Sequence, residues 1–419
     1  MMSVQKIVLS LCLLGISTVV NAQDSLTTTT LRTKIHHFSI VDGKMVGEGV
    51  DLLKKAIAKA QFTLVGDYPD SKSSSDFTNA ILPILDDAQY KTMALGVGVP
   101  TARWLHTLAQ EPTTVVSELR AANSIYALTE NKKTILPLPD MKSVEDARFI
   151  QKAGALQWSI IGFGSESWNN LPWLLDQMYA ALSDTKQQEY HSRHAKCKAI
   201  LSKMYTTRKG DLLRFATSLK NSAPIQDFLG KMAVELDDSA LLEAFHSSIE
   251  ICRMHAQKLY FEKNQLRVRE EKRLLRQELD LSGFDIDHDR LFVKWDLNFL
   301  SRGFQPYAFY GLGNTLSEIA EYNGSTSLHI GMIPRYQFKN GHLLDLTTQK
   351  NTMSHRLSTL VQAGKKDIWT VIDLRQMIKE SQYAPVKYLL NEPLLDLIKR
   401  YDLIVIPALE QEAILNHNN

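Results

Sequence analysis

Few groupings in this sequence combine the residue types and the spacing that chemistry needs. His191, His194 and Cys197 recur at intervals of three. On a helix that spacing sets them along one drifting stripe, where imidazole and thiolate could hold a metal, but no fourth ligand accompanies them and no metal is assigned. Asp285, Asp287 and Asp289, with Asp296 further on, imitate the early ligands of a calcium loop. Arg290 replaces the glycine that loop's sharp turn requires, and a strand-like run follows at once, so a polar turn is the stronger reading. Gly162-Phe163-Gly164-Ser165 approaches a nucleophile elbow but lacks the glycine two residues past the serine.

The elements that would position a site are clearer. Apolar runs of strand length alternate with amphipathic helices: Phe62 to Val65, Thr92 to Val97, Ser159 to Phe163, Leu291 to Trp295, Ser327 to Ile333, Trp369 to Leu374 and Leu403 to Pro407. Helices are expected at Val50 to Ala60, Asp76 to Leu85, Leu171 to Leu182, Thr315 to Tyr322 and Pro385 to Arg400, and Asn340-Gly341 marks a hairpin within Tyr336 to Leu346. This alternation predicts an α/β fold, a central mainly parallel sheet flanked by helices. From about Thr185 to Leu279 no good strand occurs. There Leu242, Phe245, Ile249, Cys252, Ala256 and Leu259 follow helical spacing, and the same helix is read onward into the charged run Arg267 to Arg273. That stretch is expected to be a long helical insertion or cap within one domain, residues 23–419.

The chain opens with Lys6, an apolar stretch from Ile7 to Val20, and Asn21-Ala22-Gln23. This is the order of a secretory signal peptide spanning residues 1–22, too short for a comfortable membrane span. It implies export to the periplasm or the medium, with no transmembrane segment after cleavage. An oxidising compartment permits a disulfide, so Cys197 and Cys252 are either a bridge or two buried thiols. With 48 basic and 46 acidic residues the net charge is +2, which gives no electrostatic reason to expect nucleic acid or an anionic membrane as partner.

In open parallel sheets ligands sit beyond the carboxyl ends of the strands. The first strand candidate runs into Gly66-Asp67-Tyr68-Pro69-Asp70-Ser71, and the fourth into Asp296 to Gly303. Segment Thr63 to Leu85 resembles the opening motif of the superfamily of erythromycin esterases, haem-binding ChaN proteins and TIKI proteases, where the strand runs into Gly-Glu, a variable residue and a His. A second block, Leu291 to Ile330, with Arg302-Gly303 and then Gly311 to His329, is similar to exported bacterial members of that group. Ser165 to Met178 and Arg269-Glu270-Glu271 are weaker echoes.

Against that pattern Asp67 stands where Glu is usual, Pro69 where the first His belongs, and Phe299, beside Asn298, at a second His position. Proline and phenylalanine neither move protons nor bind metal, so the resemblance implies that the family chemistry is lost here. What it leaves as a polar ligand-binding lining is Asp67, Arg269, Glu270, Lys294 and Arg302. Each has a plainer role too: a turn for Asp67, a solvated helix face for Arg269 and Glu270, snorkelling for Lys294. The resulting expectation is a non-catalytic protein that binds a small molecule or a protein. The alternative is a hydrolase, esterase-like or metal-dependent, using other residues. The sequence names no cofactor. On the export reading, mature protein begins near Gln23 and is recovered from the periplasm or medium; mass spectrometry of the amino terminus checks this, and an intact Met1 on membrane-held protein is the contrary result.

Overall fold

The computed structural model describes residues 34–68, 71–130, 133–138, 140–208, 210–305, 308–383 and 392–417. Residues 1–22, expected to be a signal peptide, Pro69 and the first part of the helix expected from Pro385 lie outside the described residues. Thirteen strands occur among those described: β1 Ile35–Val41, β2 Lys44–Val46, β3 Phe62–Asp67, β4 Thr92–Gly98, β5 Leu128–Glu130, β6 Lys133–Ile135, β7 Ser159–Gly164, β8 Leu291–Asp296, β9 Ser327–Met332, β10 Tyr336–Lys339, β11 His342–Asp345, β12 Trp369–Asp373 and β13 Leu403–Ile406. Nine of them form one sheet in the order β2-β1-β12-β13-β9-β3-β8-β4-β7.

From β13 to β7 the neighbours are parallel, whereas β12, β1 and β2 close one edge antiparallel. The strands expected from the sequence all lie in this one sheet. Their near-continuous apolar character follows from burial on both faces, and β3 (FTLVGD) is buried at every position. The short β1–β2 ribbon was not foreseen, nor were the helices Val99–Ala109, Val115–Ile125 and Val144–Ala155 that cover one face between β4 and β7. Asn340 and Gly341, both at positive φ, turn the β10–β11 hairpin as expected.

Two helix starts matter for the site, because each puts polar side chains beside the carboxyl edge of the sheet. Ser71 caps helix Lys72–Asp87 by accepting the Ser74 N–H. Ser143 and Asp146 make a reciprocal capping box on helix Val144–Ala155.

The middle of the chain is helical as expected: Asp184–Thr207, Leu212–Lys220, Ala223–Glu235, Ala240–Ala256 and Tyr260–Leu281. Together with Leu171–Ala180 most of it builds a second core around Phe215, Phe228 and Phe245. The helix read from Leu242 into the charged run is in fact two. The first ends at Ala256, Lys258 takes φ +61, and Tyr260–Leu281 returns along the sheet with Val268, Leu275 and Leu279 buried against β7 and β8. A left-handed residue after a helix ends it and frees the next segment to change direction. No helix among the described residues is long and apolar enough to cross a membrane.

Cys197 and Cys252 are free and buried. Burial pushes their thiols up to about 11 and about 12, so little nucleophilic thiolate forms near neutral pH. Folded protein is expected to resist alkylation at both positions and to take up two alkyl groups there once denatured without reductant; a mass showing a bridge would contradict this arrangement.

Candidate functional site

The carboxyl edge of the parallel strands brings together residues far apart in sequence. β3 and β8 are neighbours with Val65 opposite Lys294 and Asp67 opposite Asp296. Lys294 Nζ donates to Asp67 Oδ2 at 2.7 Å, and the two side chains are 10% and 8% exposed. The Ser74 hydroxyl, presented by the first turn of helix Lys72–Asp87, donates to the same oxygen. Asp146, held by the Ser75 hydroxyl and the Ser143 N–H, and Asp140 complete the surroundings of the ammonium. Lys294 also lies over the Phe149 ring, 5.5 Å from its centroid.

One ammonium among three carboxyl groups cannot satisfy all of them. Burial opposes the charge on Lys294, but Asp67, Asp146 and Asp140 outweigh it and hold its pKa above the ordinary value. Burial likewise raises the Asp146 carboxyl, with Lys294 opposing. Asp140, at positive φ beside the network, is pushed up to about 6 by burial and by Asp67 and Asp146, against the pull of Lys294.

Beyond Asp296 the chain folds back under the sheet edge. Phe299 stacks within an aromatic group, 4.3 Å from Trp295 and 5.0 Å from Phe309, and the Arg267 guanidinium lies over both Trp295 and Phe299. Asn298 turns inward on Asp296 through its N–H and its amide. Beneath them is Glu271, fully buried, with neither carboxyl oxygen hydrogen-bonded among the described residues and Arg267 Nε at 3.6 Å. Burial, with the nearby Asp296, pushes this carboxyl up to about 8 despite Arg267. Sequence reading missed Glu271 because it sits in a run of charges that looks like a solvated face; the signal was the apolar spacing of Val268, Leu275 and Leu279 around it.

The five residues expected to line the site are thus divided. Asp67 and Lys294 meet. Glu270 lies at a separate 570 Å³ cavity between the helical module and β4 and β7, bound to Arg273 at 2.9 Å. Arg269 is 74% exposed. Arg302 is at the opposite edge of the sheet, where it clasps Asp402 at 2.7 Å and the Ser327 carbonyl at 2.8 Å, next to the first residues of β13 and β9. It does not approach Asp67, which closes β3. His191, His194 and Cys197 do not converge: His194 pairs with Asp176 at 2.8 Å and Cys197 donates to the Pro224 carbonyl. Among the described residues no group of three or more His, Cys, Asp or Glu could hold a metal. Asp285 accepts from Asp287 N–H and pairs with His288, the polar turn expected.

Above the buried network opens a cleft of about 970 Å³, whose lining includes Tyr68, Ser71, Lys142, Ser167, Met332 and Pro407. It spans the ends of β3, β7, β9 and β13, the place where sheets of this kind take ligands.

No family model matches the sequence, and no curated protein does. Among solved structures the chain is similar to a succinoglycan biosynthesis protein, with 11% identity over 94% of this chain and 99% of that one and a TM-score of 0.51. A Bacillus cereus protein matches at the same identity, coverage and TM-score. A mutant of the erythromycin esterase EreC in its open conformation matches at 12% identity over 87% of this chain and 94% of that one, with a TM-score of 0.49. At 11% identity the likeness to the first two is one of fold alone: an α/β architecture with a large, mostly parallel sheet.

Truncating one partner of the buried pair leaves a charge uncompensated, which costs about 3–5 kcal/mol. Lys294→Met is therefore expected to lower unfolding stability by that order, and Asp67→Asn combined with Lys294→Met by clearly less; equal losses in denaturant titration would mean the two groups are not coupled.

Proposed function

We propose that the protein is an exported, non-catalytic binding member of the erythromycin esterase, ChaN and TIKI superfamily, taking a small-molecule or protein ligand in the cleft at the carboxyl edge of its sheet. The observation that carries this reading is the state of the strand-end charges. Asp67 already holds an ammonium and a hydroxyl below the cleft floor, and Lys294 is enclosed by carboxylates. A group so committed is a poor base or nucleophile, since either role requires breaking a buried pair. The resemblance puts imidazoles at Pro69 and Phe299, and the Phe299 ring packs among aromatics instead. The mixed polar and apolar lining of the cleft suits a ligand held by hydrogen bonds.

A hydrolase reading has one observation in its favour. Asp140 is only half-buried, and its carboxyl, raised to about 6, titrates where a general base or acid is useful. Kinetics separate the two. Purified protein is expected to leave simple ester and lactone substrates intact. Hydrolysis that is abolished by Asp67→Ala overturns the binding-only reading, and a rate that rises as pH passes about 6 and is lost in Asp140→Asn assigns the base to Asp140.

A further inference from the structure

After β13 the chain leaves the sheet at Pro407 and runs, largely extended, across the mouth of the 970 Å³ cleft. Residues 407, 410–413 and 415 all contribute to its lining. Besides the Ser71–Glu412 bridge and the Ser73 hydroxyl on the Leu409 carbonyl, the crossing is fastened by three sets of contacts. At the first, Glu410 exchanges backbone hydrogen bonds with Tyr336 and Phe338, while its carboxylate accepts from Ser71 Oγ at 2.8 Å and the Ser73 N–H at 3.2 Å. Next, Ile414 accepts from the Val144 N–H and donates its own N–H to Glu145. Last, Asn416, fully buried, donates to the Lys142 and Val116 carbonyls and accepts from Arg120.

All these fastenings are polar. No side chain of residues 408–416 belongs to any of the four apolar cores, and Ile414 and Leu415 are 58% and 51% exposed. The preceding strand is the reverse: all four residues of β13 are buried and paired with β12, and three of them, Leu403 to Val405, are paired with β9 as well. Releasing the crossing exchanges hydrogen bonds for water and gives up only the partial burial of Ala408, Leu409 and Ala413 and of the floor beneath them, whereas releasing β13 opens the core. Segments of that kind open locally while the rest of a protein stays folded.

We propose that residues 408–416 are a strap that opens and closes the cleft over a folded sheet and so controls entry to it. That the cleft takes a ligand rests on the function proposed above; the motion of the strap does not. Asn416 is its principal anchor, because it is the most deeply buried part and its side chain bonds twice to helix Val115–Ile125, at the Val116 carbonyl and at Arg120.

The test needs no ligand. In the full chain, Met332→Cys puts a thiol at the cleft floor, where Met332 is 3% exposed, and its reaction with iodoacetamide reports opening. Adding Asn416→Ala removes a buried anchor and is expected to speed that reaction about tenfold or more, while the buried Cys197 and Cys252 stay unlabelled as the sign of an intact fold. An unchanged rate overturns the proposal, and so does labelling that proceeds only in step with Cys197 and Cys252, which would report global unfolding. Hydrogen exchange on the unaltered protein supplies a second measurement: the amides of Val144 and Asn416 should exchange far faster than those of β3, and equal protection counts against the strap. Failure of every ligand tested, with labelling as expected, would discredit the binding reading and leave the strap standing.

Discussion

A lysine in the middle of a buried parallel strand governs the arrangement of the carboxyl edge. Removing an ammonium from water costs several kcal/mol even after relaxation, so Lys294 must be compensated where it stands. Asp67, one strand away, does so directly, and Asp146 and Asp140 add to it. Those carboxylates then need partners of their own, which the starts of two helices supply: Ser74 and Ser75 on one, and Ser143 on the other. The first turn of one helix and the N-cap of the other therefore complete the network, and the amino-terminal ends of those helices favour the negative charge gathered there.

The opposite edge handles its charges in the same way with different residues. Arg302 binds Asp402 and the first residue of β9, and Asp402 in turn accepts the His329 N–H. His329, fully buried between Ser327 and the Leu300 carbonyl, is depressed to about 3 by burial and by Arg302, so its imidazole is neutral across the physiological range. Here a conspicuous cluster of charged and titratable residues is structural: it ties the loop after β8 to the starts of β9 and β13.

Between the edges, the segment following β8 is built on ring packing and not on charge. Phe299 with Trp295 and Phe309 fills the space with ring surface, and Arg267 lies against it by cation–π contact. The same packing strips water from Glu271 and keeps that carboxyl protonated near neutrality. An acid held neutral by its apolar surroundings can donate a hydrogen bond where an ionised one can only accept.

The sequence by itself determined the kind of fold and the position of its central strands. A strand buried on both faces must be apolar throughout, and that demand is written locally in runs such as Phe62 to Val65 and Leu403 to Ile406. It also singled out Asp67 and Lys294, because charge at the end or in the middle of such a run is anomalous wherever it occurs. What it did not determine was which charges meet. Asp67 and Lys294 are 227 residues apart, Arg302 and Asp402 are 100 apart, and nothing in their neighbouring residues distinguishes one pairing from another. The turn at Lys258 decided that Glu271 faces the core and Arg269 the solvent, and the path of the chain after β13 decided that the cleft is crossed by a strap. Local pattern records whether a position is buried; only the approach of distant segments settles what it is buried against, because Coulomb and hydrogen-bond energies depend on distance in space and not along the chain.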